Sequence, residues 1–171
     1  LYVSGFAAGG VAVDDVDGDE LPDLFFVGTS GRNRLFRQTK PFKFEEITDI
    51  ANINVGNPWG SAAAMIDIDS DGDLDIYVTV YDAANQLFIN RGNGVFYEQA
   101  ERFGLNIIDA SLVPAFCDYD CDGDLDLYLL TNRFYRQGGF PTTPAFTRDE
   151  NGIARLLPQY KKYLQLVTTG P

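Results

Sequence analysis

Hydrophobic residues in this chain come in short runs, each closed off by glycine, asparagine, proline or aspartate, which is the layout of β-strands joined by tight turns. The runs recur in step. Asp15, Asp67 and Asp118 open three equivalent segments, DVDGDELPD, DIDSDGDLD and DYDCDGDLD, at spacings of 52 and 51 residues. Before each stands a run of mostly small or β-branched residues: VAV from Val11, SAAAMI from Ser61 and VPAF from Val113. After each comes an apolar run: LFFVGT from Leu24, IYVTVY from Ile76 and LYLLT from Leu127. An Asn-led stretch follows, NRLFRQ from Asn33, NQLFIN from Asn85 and NRFYRQ from Asn132. In the first two repeats FKFEEITD from Phe42 and GVFYEQAE from Gly94 supply a fourth candidate strand.

Four short strands per unit, repeated at about 50 residues, predict an all-β chain built of radial β-propeller blades of four antiparallel strands, about three blades in this length. A period alone is also compatible with a β-solenoid. Small side chains before the Asp segment suit a crowded central strand. The strand after it is apolar on both faces, which fits burial between neighbouring sheets. The expected boundaries are the end of a preceding element at 1–8, then blades at 9–57, 58–108 and 109–171, the last with an atypical insertion at about 138–160.

The Asp segments share the pattern D-x-D-x-D-x-x-x-D, with carboxylates at positions 1, 3, 5 and 9. These are Asp15, Asp17, Asp19 and Asp23; Asp67, Asp69, Asp71 and Asp75; and Asp118, Asp120, Asp122 and Asp126. In a tight loop, positions 1, 3 and 5 turn their oxygens to one centre, and a backbone carbonyl at 7 and the carboxylate at 9 close the shell. All-oxygen donors in uneven geometry suit calcium, up to three ions here, better than magnesium, which demands an octahedron. With no His and two Cys, the usual ligands of zinc and copper are scarce. Gly72 and Gly123 stand at position 6, where the chain turns sharply. The first loop has Glu20 there, with Gly18 at position 4 and Pro22 at position 8, so its site is expected to be the weakest or most distorted. An EF-hand begins similarly but ends in Glu at position 12, where these loops carry Phe26, Val78 and Leu129, and it needs flanking helices.

Charge sharpens this reading. The chain has 25 acidic residues and a net charge of -12, and fifteen of the acids fall within 15–23, 67–75 and 118–126. Clusters that dense oppose folding unless a cation neutralises them. An apolar content of 45% excludes a disordered chain, and the negative charge argues against nucleic acid. No run of eighteen apolar residues is present, so no membrane insertion by a helix is expected. The chain begins without Met, as a mature form, a processed product or an excised fragment would.

The segments GVAVDDVDGDELPDLFFV, SAAAMIDIDSDGDLDIYV and AFCDYDCDGDLDLYLL, each with its Asn-led stretch, resemble the FG-GAP or VCBS type repeat over roughly residues 9–137. Such repeats occur in integrin α-subunit propellers and in proteins similar to cartilage acidic protein. The resemblance implies a seven-bladed propeller with calcium in the loop between the first two strands of a blade. It also implies work outside the cytoplasm, in adhesion or recognition of a protein or glycan partner. A seven-bladed ring needs about twice this length, which implies a larger protein or self-assembly. After Gln137 the pattern lapses, and a closing strand is expected near Tyr163 to Thr168.

Other residues leave two readings open. Cys117 and Cys121 are spaced for a loop-bracing disulfide or for two free thiols. Trp59 suits inter-blade packing or ligand stacking. Arg32, Arg34, Arg133 and Arg136 suit ordinary surface charge or a patch for an anionic partner. Without His, a G-x-S-x-G motif or a phosphate-binding Gly loop, the chain is expected not to be an enzyme; a calcium-using carbohydrate-active propeller is the rival reading. Calcium modules that bind at about 10⁻⁴ to 10⁻³ M are not saturated in a cytosol, which points to an extracellular or periplasmic location.

Overall fold

A computed structural model describes residues 9–29, 31–53, 56, 59–92, 94–131, 146–148 and 154–156. The chain divides into two units, Leu1–Asn132 and Arg133–Pro171. Among the described residues there is no helix, and so none that could cross a membrane.

The first repeat is a four-stranded antiparallel meander, β1 (Val11–Asp14), β2 (Asp23–Phe26), β3 (Arg34–Lys40) and β4 (Lys43–Glu46), in that spatial order. The second repeats it with β5 (Gly60–Ile66), β6 (Asp75–Ala84), β7 (Gln86–Asn90) and β8 (Phe96–Glu98). The third begins alike, with β9 (Ile108–Cys117) against β10 (Asp126–Thr131). These are blades of the expected kind, and a meander of antiparallel strands disposes of the solenoid.

The blades stack face to face, and period-2 alternation explains the apolar strands. In β6, Ile76, Val78 and Val80 point to one side and join Ala12, Val16, Phe25, Val27 and Leu35 of the first blade in one core layer. Tyr77, between them, points to the other side, where Leu87, Ile89 and Ala100 meet Phe116 and Leu127 of the third blade. Residues 75–80 of β6 are therefore all buried. The outer faces of the flanking blades are open: Val11, Val13 and Phe26 are exposed on one, Val113, Tyr128 and Leu130 on the other.

Backbone and hydroxyl bonds join the blades near their inner strands. Gly60 N–H donates to the Gly28 carbonyl at 3.0 Å. Between the second and third blades the join is a ladder, because β6 runs on past β5 and its end pairs with Ile108 to Ala110 of β9. Ser61 Oγ donates to the Ser111 carbonyl at 2.6 Å and Thr79 Oγ1 to that of Leu112 at 3.0 Å. β5 and β9 are both antiparallel to β6 and so run the same way, which brings their Asp loops out at the same end.

In the second unit, β11 (Phe146–Arg148) pairs antiparallel with β12 (Ala154–Leu156), inside the stretch read as an insertion. The closing strand expected at 163–168 lies outside the described residues.

Candidate metal centre

Each Asp loop joins the first and second strands of its blade, and the three loops share one hydrogen-bond scheme. The position-1 carboxylate folds back over the turn. Asp15 accepts from Gly18, Asp19 and Glu20 N–H, Asp67 from Asp71 and Gly72, and Asp118 from Asp122 and Gly123, at 2.7 to 3.2 Å. The position-5 carboxylate then accepts from position 7: Asp19 from Leu21 at 2.9 Å, Asp71 from Asp73 at 3.0 Å, Asp122 from Asp124 at 2.9 Å. These are Asx-turn bonds, which is why aspartate suits these positions even before any ligand is considered.

The result in every loop is a triplet of carboxylates at positions 1, 3 and 5. Asp15, Asp17 and Asp19 each offer an oxygen within 4.8 Å of the others, and so do Asp67, Asp69 and Asp71, and Asp118, Asp120 and Asp122. Such a set, all oxygen and all anionic, fits a hard divalent cation such as calcium. Burial and the neighbouring aspartates raise the pKa of Asp17 and of Asp69. In the first loop Arg37 partly offsets this, with Nη1 3.9 Å from Asp17 Oδ2.

The position-9 aspartates stand outside the triplets. Asp23 and Asp75 are fully buried, and each binds two backbone amides. Asp23 accepts from Val16 N–H at 3.1 Å and Gln38 N–H at 2.8 Å; Asp75 accepts from Ile68 at 3.0 Å and Asn90 at 2.8 Å. Asp126 accepts from Tyr119 at 2.9 Å. The sequence reading put position 9 in the ligand shell; in the structure its oxygens first tie position 2 of the loop, and in the first two blades also the third strand. Burial raises the pKa of Asp23, and pushes that of Asp75 up to about 6, with Asp69 and Asp71 adding to the effect. Asp75 thus feels the charge of Asp69 and Asp71, and Asp69 that of Asp67 and Asp71.

The first loop is not distorted in its backbone. Position 4 is left-handed in all three loops, at Gly18 (φ 77°), Ser70 (58°) and Cys121 (61°), and position 6 likewise, at Glu20 (67°), Gly72 (94°) and Gly123 (98°). Each loop thus places one glycine and one strained non-glycine in the same two positions.

A family model for the FG-GAP-like repeat matches residues 15–78 and again 67–129. The chain belongs to the FG-GAP-like repeat family. Among curated proteins, no significant match is found. The two FG-GAP matches together take in all three loops and the strands from β2 to β9.

Two features of these FG-GAP blades have a sequence trace whose role only the structure explains. In the first two blades the Asn that leads the third strand is a buried clamp on the hairpin behind it, and Asn132 lies outside the described residues. Asn33 accepts from Gly28 N–H at 3.0 Å; Asn85 accepts from Val80 N–H at 2.8 Å and donates to Tyr77 Oη at 2.8 Å. The segments after the fourth strands also turn inward, burying Ala51, Ile53 and Ala100. Of the residues read two ways, Cys117 and Cys121 are exposed free thiols. Trp59 packs on Tyr81, ring centres 5.7 Å apart. Arg32 pairs with Glu46 at 3.2 Å and Asp49 at 2.6 Å, and Arg34 with Glu46 at 3.7 Å, so within this blade they are matched by acids. Arg133 and Arg136 lie outside the described residues.

Proposed function

We propose that this chain is a calcium-binding FG-GAP recognition module that works outside the cytoplasm, in which each ion neutralises an aspartate triplet and holds an exposed loop in shape for a protein or glycan partner. The observation that carries the reading is threefold repetition of one geometry. Three loops that all differ at positions 2 and 4, the first also differing from the others at positions 6 to 8, fold with the same Asx bonds and converge the same three carboxylates to within 4.8 Å. A lone acidic turn needs no such convergence, and holding three like charges together without a cation is unfavourable. FG-GAP repeats often bind calcium. Asp15, Asp17 and Asp19, and their counterparts in the other two loops, would hold the ions, with Asp23, Asp75 and Asp126 fixing the loops from behind. The role is binding, not catalysis.

Thermal melting tests this. With calcium at about 100 times its Kd, each filled loop adds about 2.7 kcal/mol to stability. The midpoint should therefore rise with calcium, fall with chelator and recover with calcium but not with magnesium. Indifference to chelator rejects the reading. Loss of partner capture under chelator separates recognition from a purely structural role for the ion.

A second reading is favoured by the apolar outer faces. Val11, Val13 and Phe26 on one flanking blade, and Tyr128 and Leu130 on the other, suit stacking against further blades or copies of the chain. A strictly monomeric sedimentation profile at high concentration counts against assembly of copies.

A further inference from the structure

Asn90 closes β7 with its N–H and both side-chain polar atoms engaged, and its bonds run to both of the first two loops. It is fully buried. Its backbone N–H donates to Asp75 Oδ1 at 2.8 Å, and its side-chain amide donates to the Leu74 carbonyl at 3.2 Å, both in the second loop. The same amide donates at 2.8 Å to the carbonyl of Val16, which is position 2 of the first loop in the neighbouring blade. Its Oδ1 accepts from Gly92 N–H at 3.2 Å, which fixes which way the amide faces. The N–H of Val16 in turn donates to Asp23 Oδ2 at 3.1 Å. An unbroken chain of direct hydrogen bonds therefore runs from the Asp23 carboxylate, through the Val16 residue and Asn90, to the Asp75 carboxylate.

The matching residue of the first blade, Gln38, has no described blade on its far side, and that of the third, Gln137, lies outside the described residues. Gln38 also gives its backbone N–H to the position-9 aspartate, at 2.8 Å, but its side chain turns back into its own hairpin and accepts from Phe42 N–H at 2.9 Å. Between the second and third blades, the side-chain bonds lie in the inner strands, at Ser61 and Thr79, and among the described residues none joins the second loop to the third.

We infer that Asn90 is a positioning residue that couples the first and second loops, so that a calcium ion in either one raises the affinity of the other, while the third loop fills without regard to the first. The inference rests on the calcium reading above. An ion at Asp15, Asp17 and Asp19 stiffens the first loop, including the Val16 peptide between Asp15 and Asp17. That peptide then holds Asn90, and Asn90 holds Asp75 and Leu74 at the closing end of the second loop. Order imposed at one site lowers the ordering cost at the next, and by linkage the effect is reciprocal.

The loops carry their own reporters. Gly18, Gly72 and Gly123 amides each bond the position-1 aspartate of their own loop, at 2.8, 3.0 and 3.1 Å. Their nitrogen-15 NMR signals can be followed as calcium chloride is added to the whole chain. Disabling the first loop with Asp17→Asn and Asp19→Asn should move the Gly72 midpoint to about five-fold higher calcium or more, and leave Gly123 within about two-fold. In Asn90→Ala the Gly72 midpoint should no longer respond to those two changes. The first arm leaves Asn90 intact, so it decides the matter even if Asn90→Ala does not fold. An unmoved Gly72 midpoint, or Gly72 and Gly123 shifting together, overturns the relay; dependence that survives in Asn90→Ala overturns the role of Asn90. If no glycine signal responds to calcium, the calcium reading itself falls and this inference with it.

Discussion

The second and third repeats carry nearly the same loop and nearly the same strand after it, yet they live in different surroundings. Tyr77 and Tyr128 occupy the same place in the repeat, ten residues after the first loop aspartate; Tyr77 is fully buried and Tyr128 is 70% exposed. Residues 75–80 are all buried, whereas β10 alternates between exposed and half-buried. The difference comes from position in the stack. A strand apolar on both faces can be buried on both only when a blade lies on either side, and among the described residues only the second blade has that. Repetition in sequence sets each blade's internal structure, and neighbours set its energetics.

The largest test of that contrast is the tyrosine pair itself. Tyr77 Oη donates to the Leu105 carbonyl at 3.0 Å and accepts from Asn85, and its ring meets Phe116 edge-on at 5.5 Å. Tyr77→Ala should cost about 4 kcal/mol, combining a large cavity with unpaired buried partners, while Tyr128→Ala should stay within about 0.5 kcal/mol. Urea unfolding midpoints measure both. Equal losses would mean that the outer face of the third blade is covered in solution.

The buried aspartate of the second loop gives the next effect. Without metal, the pKa of Asp75 stands at about 6 in the folded chain against 3.8 as the ordinary value. The folded state therefore holds this proton more tightly than the unfolded state does. The favourable contribution is complete below about pH 4 and is lost as pH rises through about 6, a change of about 3 kcal/mol. In chelator, stability from this group should thus increase as pH falls from 7 towards 4, and Asp75→Asn should flatten that trend. Calcium should reverse it, because protons then compete with the ion for the second loop. Denaturant titrations across this pH range, with chelator and with calcium, report the sign directly.

Much of this architecture was legible because the signals are local. Strand order, the small inner strands and the Asp loops are written in runs of a few residues, and three copies in register make each easier to read. What escaped depends on partners far away in sequence. β9 starts at Ile108, before the recognisable VPAF run, because its first residues pair with the far end of β6. The amide bonds of the position-9 aspartates also escaped, because spacing records a carboxylate but not the burial of Asp23 and Asp75, which demands amide donors. Asn85 stood out as leading a recurring stretch and Asn90 did not, and only packing reveals that one clamps a hairpin and the other crosses to the next blade. The apolar β10 run was read as buried on both sides, since a sequence pattern cannot say whether a neighbour is present.

The smallest effect concerns the loops where the repeats were expected to differ most. Glu20 at position 6 of the first loop suggested distortion, yet positions 4 and 6 are left-handed in all three loops. The first loop has simply exchanged which of the two is glycine. Nothing lies within 4 Å of a Cβ added at Gly18, Gly72 or Gly123, so the penalty for a side chain there is conformational and not steric. The double exchange Gly18→Ser with Glu20→Gly recreates the order seen around Ser70 and Gly72. It trades one strained residue for another and should leave the melting midpoint unchanged to within about 0.5 kcal/mol. Glu20→Gly alone should stabilise the chain by somewhat less than about 1 kcal/mol, because relief of strain exceeds the added freedom of the unfolded chain. Gly18→Ser alone should cost about the same amount. If the double exchange instead cost more than about 1 kcal/mol, position 6 in the first loop would require Glu20 for its side chain, and the three loops would not be equivalent sites.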